Sequence, residues 1–272
     1  MGERRSSVSD KRRELHRLHE SGCFVLPNPW DVGSARYLQG IGFKALASTS
    51  SGLAWSQGHA DNGLPRERVL AHLSELVDAT DIPVNADFEN GFAADPAGVG
   101  LSVRLAVQTG VAALSIEDST GDAAAPLFSL ADALARIRAA RAAIDAAGGD
   151  VLLVARAECF VAGRPDMAET IARLRAYAGA GADCLYAPGI ATLEQIREVV
   201  DAVRPKPVNY LLMPAGPSLR EIAGAGVRRV SVGGALARAA WGGFMRAAKL
   251  LADGSFEGFA GAPSHGDLDR LF

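Results

Sequence analysis

The sequence predicts a single (β/α)8 barrel, a TIM-type α/β fold. Eight short apolar runs, each of a length suited to one buried strand, alternate with segments of helical periodicity. Glycine-containing turns precede the even-numbered runs, and no linker or charged run divides the 272 residues. These observations favour one barrel domain over residues 1–272, in which residues 1–9 form a flexible tail.

The strands and helices can be placed in order along the chain. A short helix is expected near residues 10–21, before the first strand. Helical segments at 65–80, 130–149, 167–182 and 192–203 separate later strands, and several end on Gly or an Ala-Gly pair, as helix C-termini do. The eight predicted strands cover residues 23–28, 45–49, 82–87, 112–118, 151–157, 184–189, 207–212 and 228–234.

Composition excludes several classes of function. A net charge of -3 provides no basic surface for nucleic acid, and no apolar run approaches the roughly 20 residues needed to cross a bilayer. Cys23, Cys159 and Cys184 form no CxxC pair, and the basic N-terminal segment lacks the apolar stretch of a secretory signal. We therefore expect a cytoplasmic protein with no nucleic-acid or membrane partner.

Polar side chains follow the predicted strands where catalytic residues of such barrels lie, at the C-terminal ends. In "PVNADFENGF" the residues Asn85, Asp87 and Glu89 stand at alternate positions, so an extended chain directs all three to one face. Glu117 ends strand 4 and Arg156 ends strand 5. The predicted mouth of the barrel is acidic and contains one arginine.

This combination predicts a metal site that binds an anionic ligand. Clustered carboxylates in a partly dry cavity need a cation, and oxygen ligands without His or Cys suit Mg²⁺, or alternatively Mn²⁺. Arg156 offers a fork for a ligand carboxylate, which favours a chelating acid such as a 2-oxo acid. The alternative is that Asp87, Glu117 and Arg156 only form ion pairs that close the barrel.

Residues that are missing from the strand ends narrow the chemistry further. None of the four lysines lies in the predicted mouth, which disfavours a Schiff-base aldolase. None of the five histidines ends a strand or forms an HExxH pair, which disfavours a zinc hydrolase. Cys159 has no predicted histidine neighbour, so we interpret it as a packing residue and not a nucleophile.

Four stretches in order on successive strands carry a resemblance to a known family. With "TSSGLAWSQGHAD", "PVNADFENGF", "LSIED" and "LLVARAE", the chain resembles the isocitrate lyase/phosphoenolpyruvate mutase superfamily from about residue 20 to 250. The resemblance implies a Mg²⁺-dependent barrel that stabilises the enolate of a pyruvate-like unit while a C–C or P–C bond is cleaved or formed. It also implies homo-oligomers: dimers that exchange the eighth helix, commonly paired into tetramers.

The resemblance also assigns roles to individual positions. Thr49, Ser50 and Ser51 match the loop that binds the carboxylate of the 2-oxo acid, Asp61 matches an acid in the following loop, and Asn209 matches a polar residue that faces the pocket. Asn85 and Asp87 match the metal-binding D-x-D pair, Glu117 the acid that binds the metal through water, and Arg156 the arginine of A-R-T-D. Glu89 lies beyond the matched pair and is interpreted as a loop residue. Arg156, Glu117 and Asp61 are thereby the candidate catalytic residues.

The sequence departs from the family pattern at four places, one of which is Tyr186-Ala187-Pro188-Gly189 in place of the acidic end of strand 6 in the lyases. Asn85 stands where an aspartate usually binds the metal directly, and Glu158 replaces the aspartate of A-R-T-D. The stretch "DSTGDAAAPLFS" after strand 4 lacks the K-[KR]-C-G-H loop whose cysteine serves as the acid in isocitrate and methylisocitrate lyases. It also lacks the basic and amide residues of phosphonate-handling members, so both groups of activities are disfavoured, the lyases more strongly.

The sequence thus predicts a Mg²⁺-dependent lyase that decarboxylates or cleaves a small 2-oxo dicarboxylic acid of the oxaloacetate type. The first alternative is P–C bond chemistry, as in a phosphonopyruvate hydrolase or phosphoenolpyruvate mutase. The second alternative is a non-catalytic binder of 2-oxo acids that has kept the fold.

Overall fold

Eight parallel strands form a nearly closed barrel in the computed structural model, which describes residues 5–213 and 215–272. Consecutive strands pair from β2 to β8, and β8 pairs with β1. The backbone N–H of Ala47 donates to the carbonyl of Pro27 at 3.0 Å, which joins β2 to the segment that follows β1. The predicted (β/α)8 fold is therefore confirmed. The strands are Phe24–Leu26 (β1), Leu46–Ala47 (β2), Val84–Asp87 (β3), Ala113–Glu117 (β4), Leu152–Arg156 (β5), Cys184–Tyr186 (β6), Val208–Leu211 (β7) and Arg229–Ser231 (β8).

Helices surround the strands, and most of them start at a side chain that caps the first turn. Ser7 and Thr192, for example, each form a capping box with the third residue of the helix that follows. The first helix begins at Val8, inside the segment expected to be a tail, while residues 1–4 lie outside the described residues. The helices are Val8–Glu20 (α1), Val32–Gly40 (α2), Ser50–Ser56 (α3), Arg66–Ala79 (α4), Pro96–Gln108 (α5), Leu130–Ala146 (α6), Met167–Gly179 (α7), Leu193–Val203 (α8), Leu219–Gly224 (α9), Ala235–Ala252 (α10) and His265–Asp269 (α11).

Helix α1 closes the N-terminal end of the barrel. Leu15 is fully buried there and packs in one cluster with Leu26 of β1 and Leu152 of β5. Lys11 Nζ donates to the carbonyl of Val77 at 2.7 Å, and Arg12 Nε donates to the carbonyl of Val111, just before β4, at 3.1 Å. Since this end is filled, a ligand has access only from the C-terminal ends of the strands.

Alternation along the strands separates the apolar core from a polar barrel interior. On β4, Leu114 and Ile116 belong to the main core between strands and helices, whereas Ser115 and Glu117 line the cavities of the mouth. This period of two explains why acidic residues can end well-packed strands. Across the described residues, no helix has both the length and the apolar character required to span a membrane.

Candidate active site

The mouth of the barrel contains a small polar cavity with a volume of about 210 Å³. A wider outer space of about 490 Å³ shares Ser50, Asp61 and Arg156 with it and includes Glu117. The small volume suits an acid of a few carbon atoms, because pockets for drug-sized ligands measure about 300–1,000 Å³. Most of the site residues predicted from the sequence line the cavity: Thr49, Ser50, Ser51, Asp61, Asn85, Asp87 and Arg156.

Arg156 lies at the centre of the mouth and binds three carboxylates. Its Nη1 is 2.8 Å from Oδ1 of Asp87, its Nη2 is 3.2 Å from Oε2 of Glu117, and its Nε is 2.8 Å from Oε1 of Glu158. Parallel pairing places Glu117 directly beside Arg156, and Glu158 follows two residues later on the same face. The ring of Tyr186, its neighbour on β6, lies 5.1 Å from the guanidinium carbon.

The negative charge of these three carboxylates exceeds the single positive charge of Arg156. Burial raises the pKa of Glu117 well above its ordinary value, although Arg156 acts in the opposite direction. Burial likewise raises the pKa of Glu158. For Arg156, burial lowers the pKa, but the surrounding carboxylates outweigh this and hold it well above the usual value. The mouth therefore favours the uptake of additional positive charge, either protons or a metal ion.

Glu89 also belongs to this acidic group, although the sequence interpretation left it as a loop residue. Burial raises the pKa of Glu89 to about 8, and the nearby charges of Asp87 and Asp61 add to the increase. Its backbone has a φ of 48°, a left-handed conformation that side chains other than glycine seldom adopt. The alternation with Asn85 and Asp87 was the available signal for its position.

The loop after β2 is hydrogen-bonded to β3. The backbone N–H of Ser50 donates to Oδ2 of Asp87 at 3.0 Å, and the backbone N–H of Asp87 donates to Oγ of Ser48 at 2.8 Å. Thr49 caps helix α3, and its hydroxyl lies 3.1 Å from that of Ser51. These contacts place the predicted substrate loop directly beside Asp87 and Arg156.

Asn85 and Asn209 are brought together by a residue that the sequence interpretation did not single out. Arg229, at the start of β8, donates from Nη2 to Oδ1 of Asn85 at 3.0 Å and from Nε to Oδ1 of Asn209 at 2.8 Å. Asn209 is fully buried and also donates to Oγ of Ser231 at 3.0 Å. Arg229 is not at the C-terminal end of a strand, and so the sequence offered no reason to select it. Its long side chain reaches across the barrel from the first residue of β8.

A buried network behind the mouth holds Glu158 in place. Oδ1 of Asp118 accepts a hydrogen bond from the backbone N–H of Glu158 at 2.8 Å. Its Oδ2 accepts from Nη1 of Arg173 at 3.0 Å and from the hydroxyl of Tyr177 at 2.5 Å. Cys159, next to Glu158, is fully buried, and burial raises the pKa of its thiol. This environment gives Cys159 the character of a packing residue.

The side-chain atoms of the mouth that could bind a metal are all oxygens, and two of these side chains suit a magnesium ion. Within residues 5–213 and 215–272, no three His, Cys, Asp or Glu side chains are grouped so as to enclose a metal. Mg²⁺ does not need such a cage, because it usually binds one or two carboxylates and keeps several waters. Asp87 and Glu117, two acidic neighbours of Arg156, fit this mode, whereas the oxygen of Asn85 is already bound by Arg229.

An acidic cluster with an arginine at the mouth of a (β/α)8 barrel is the arrangement of a barrel enzyme, because active sites of this fold lie at the C-terminal ends of the strands. The chain belongs to the phosphoenolpyruvate phosphomutase family, whose model matches residues 15–252, and so to the isocitrate lyase/phosphoenolpyruvate mutase superfamily. The resemblance identified from the sequence is confirmed, and the relatives include lyases, mutases and hydrolases.

Two sequence relatives show the range of similarity. An uncharacterized protein of Mycobacterium tuberculosis is 32% identical over 242 residues, which are 88% of this chain and 89% of the relative. The oxaloacetate decarboxylase of Paraburkholderia xenovorans is 30% identical over 240 residues, which are 82% of this chain and 75% of the enzyme.

Solved structures match over nearly the whole chain. A protein from Burkholderia cenocepacia J2315 is 45% identical, covers 97% of each chain and has a TM-score of 0.94. Oxaloacetate acetylhydrolase in complex with oxalate is 26% identical, with a TM-score of 0.87 over 98% of this chain and 94% of that one. Phosphonopyruvate hydrolase with oxalate and Mg²⁺ is also 26% identical, with a TM-score of 0.85 over 96% of this chain and 94% of the hydrolase.

Proposed function

We propose that this chain is a Mg²⁺-dependent carbon–carbon lyase that acts on a small 2-oxo dicarboxylic acid of the oxaloacetate type. The observation that carries this proposal is the position of Arg156, which is held by Asp87, Glu117 and Glu158 at the mouth of a cavity of about 210 Å³. A guanidinium fixed in this way can bind a substrate carboxylate in a defined orientation. The similarity to oxaloacetate decarboxylase and to oxaloacetate acetylhydrolase supports the substrate class.

The metal is assigned to the carboxylates beside Arg156. Asp87 and Glu117 would hold Mg²⁺, or alternatively Mn²⁺, and Asn85 contributes less because its oxygen accepts a hydrogen bond from Arg229. When bound, the ion would act as a Lewis acid that polarises the 2-oxo group of the substrate. The Mg²⁺ in the structure of phosphonopyruvate hydrolase supports this assignment.

The proposed reaction breaks the bond between C3 and C4 of the substrate. The electron pair of that bond forms an enolate with the 2-oxo oxygen, CO₂ leaves, and protonation of C3 gives the 2-oxo monoacid. Arg156 would compensate the negative charge of the acid, while Thr49, Ser50 and Ser51 orient its carboxylate. Asp61 and Glu117 are the remaining candidates for acid–base roles at the mouth.

The loop after β4 favours this chemistry over that of isocitrate lyases. Residues 119–126 contribute the outer wall of the mouth, through Ser119, Asp122 and Pro126 among others, and none of them is a cysteine. This segment therefore has no cysteine that could serve as the acid, as the loop cysteine does in isocitrate lyases. Decarboxylation of oxaloacetate does not require a cysteine for its protonation step, because the enolate can take its proton at C3 from another acid of the mouth or from water.

Phosphonopyruvate hydrolysis is the second candidate, favoured by the 26% identity to that hydrolase. A non-catalytic 2-oxo acid binder is the third, because Asn85 replaces the usual aspartate. The deciding experiment measures turnover of oxaloacetate and phosphonopyruvate with Mg²⁺ and with excess EDTA. We expect Mg²⁺-dependent pyruvate formation from oxaloacetate. Phosphate release from phosphonopyruvate alone would favour the hydrolase, and binding without any product would favour the binder.

Helix α10 supports the proposed homo-oligomer with an exchanged eighth helix. Of its 18 residues only Ala237 is buried, although the helix carries large apolar side chains. Phe244 is 62% exposed and Met245 is 64% exposed, and Trp241 lies beside Phe244 with ring centroids 5.4 Å apart. An exposed apolar surface of this kind indicates contact with another protein surface. A second copy of the chain, arranged as a dimer or a dimer of dimers, would cover it.

A further inference from the structure

Arg229 crosses the interior of the barrel as a buried cation. It is 2% exposed, and from β8 its guanidinium reaches Asn209 on the adjacent strand and Asn85 on β3. These two hydrogen bonds fix both the depth and the orientation of the charged group. The side chain also forms part of the wall of the 210 Å³ cavity, together with Ser115 and Ser231.

The charge of Arg229 is not compensated by the protein. Both of its hydrogen-bond partners are neutral amides, and among the described residues no carboxylate forms an ion pair with it. The buried Nη1 atom has no hydrogen-bond partner in the described parts of the chain. Arginine stays protonated in proteins, and a buried charge without a counterion is costly to maintain. An anion bound in the cavity would supply the missing charge.

The same contact makes position 85 unsuitable for a cation. The family resemblance places a metal ligand there, but in this chain the amide oxygen of Asn85 accepts its hydrogen bond from the guanidinium of Arg229. A divalent ion on that oxygen would face the like charge of Arg229 without the negative charge that Asp87 and Glu117 provide beside Arg156, whereas an anion would face an opposite charge. The inner part of the cavity therefore has positive character, while the carboxylates surround Arg156 further out.

We propose that Arg229 is the binding residue of an inner anion site, and that this site takes a carboxylate group of a small organic acid. In the metal-free protein the carboxylates around Arg156 outweigh its charge, so Arg229 is the cationic position that the ligand carboxylate meets. The identification of that ligand with the lyase substrate rests on the proposed function, whereas the anion site itself does not.

Calorimetric titration of the full chain with oxalate and with malonate tests the site, in buffer that contains EDTA so that no metal contributes. We expect Arg229→Gln to raise the dissociation constants of both acids at least tenfold. Arg228→Gln is the matched control: Arg228 precedes it in sequence, but its Nη1 donates to the carbonyl of Gly22 at the opposite end of the barrel. We expect that variant to bind the acids as the wild type does. Equal binding by wild type and Arg229→Gln, or no binding by the wild type, would overturn the proposal.

A second variant covers the case in which Arg229→Gln does not fold. Asn85→Asp places a carboxylate at hydrogen-bond distance from Arg229 and so neutralises it internally. We expect this variant to have a higher Tm without ligand and at least tenfold weaker binding of malonate. Unchanged malonate affinity in Asn85→Asp would contradict the proposal on its own.

Two further outcomes separate the ligand classes and the two proposals. Methylphosphonate that binds through Arg229 while the carboxylic acids do not would overturn the assignment to a carboxylate. Arg229-dependent binding of malonate without turnover of oxaloacetate would reject the lyase but retain the anion site. Turnover together with Arg229-independent binding would reject the anion site and retain the lyase.

Discussion

Arg156 and Asp87 connect β5 to β3 across the mouth of the barrel through an ion pair of 2.8 Å between Nη1 and Oδ1. The second oxygen of Asp87 accepts the backbone N–H of Ser50 at 3.0 Å. One carboxylate thus positions both the proposed substrate loop and the guanidinium. Both side chains of the pair are 17% exposed, so they remain accessible to a small ligand while most of their surface is dry.

Replacing Arg156 by lysine tests whether the planar guanidinium group is needed. A lysine retains the charge but cannot bind Asp87, Glu117 and Glu158 in fixed directions. A charge-assisted hydrogen bond contributes about 1.5–3 kcal/mol, so we expect kcat/KM for oxaloacetate to fall roughly 10- to 100-fold. Arg164→Lys, at an arginine whose side chain is 56% exposed, is the control. Full activity in Arg156→Lys, measured as pyruvate formation, would count against the proposed role.

The raised pKa of Glu89 predicts a pH-dependent stability. The folded protein keeps the proton of Glu89 up to a pKa of about 8, whereas the ordinary value for this carboxyl is 4.5. The stability linked to Glu89 is therefore full below pH 4.5 and is lost as the pH rises towards 8. In metal-free buffer we expect the Tm of Glu89→Gln to rise progressively above that of the wild type across this range. The difference should be about 2–4 °C for each kcal/mol of unfolding free energy that the wild type loses. The gain should stay constant above about pH 8.

Glutamine has nearly the same size as glutamate and meets the same positive φ, so the comparison isolates the charge. Glu20→Gln, on the exposed end of α1, is the control and should show no such trend. A Tm difference for Glu89→Gln that is the same at every pH would contradict a buried, proton-binding Glu89.

Asp118→Asn tests the buried network that holds Glu158. The substitution removes the buried anionic partner of Arg173, which keeps only its ion pair with the partly exposed Glu169. Breaking one side of a buried ion pair costs about 3–5 kcal/mol, so we expect the free energy of unfolding in urea to fall by about 3 kcal/mol. Asp122→Asn, in the exposed loop that follows, should change it by less than about 0.5 kcal/mol. A loss below about 1 kcal/mol for Asp118→Asn would show that the network is not needed.

The strand periodicity was sufficient to predict the barrel and the residues at its mouth. Apolar runs placed all eight strands, and the rule that chemistry lies at C-terminal strand ends selected Asp87, Glu117 and Arg156. The structure brings these three into direct contact. Their spacing in sequence, 69 residues between Asp87 and Arg156, carries no information about that contact without the barrel.

Glu89 and Arg229 could not be predicted in the same way, for two physical reasons. Alternation with Asn85 and Asp87 indicates the side of the strand on which Glu89 lies, but the chain turns there through a positive φ, so its final position also depends on the loop conformation. Arg229 is the first residue of its strand, and only the length of its side chain brings its guanidinium to Asn85. Burial and charge at both positions are properties of the assembled barrel.

The exposed face of α10 predicts the oligomeric state. Wild-type protein is expected to run at a mass of at least twice 28.3 kDa in light scattering coupled to gel filtration. Phe244→Asp places a charge on this apolar face, and because Phe244 is 62% exposed the fold of one chain should tolerate it. We expect the variant to run as a single chain, since the charge would have to be buried in the proposed interface. Leu101→Asp, at a 46% exposed position on α5, is the control and should keep the wild-type mass. A wild-type mass of one chain, or an unchanged mass in Phe244→Asp, would reject α10 as the interface.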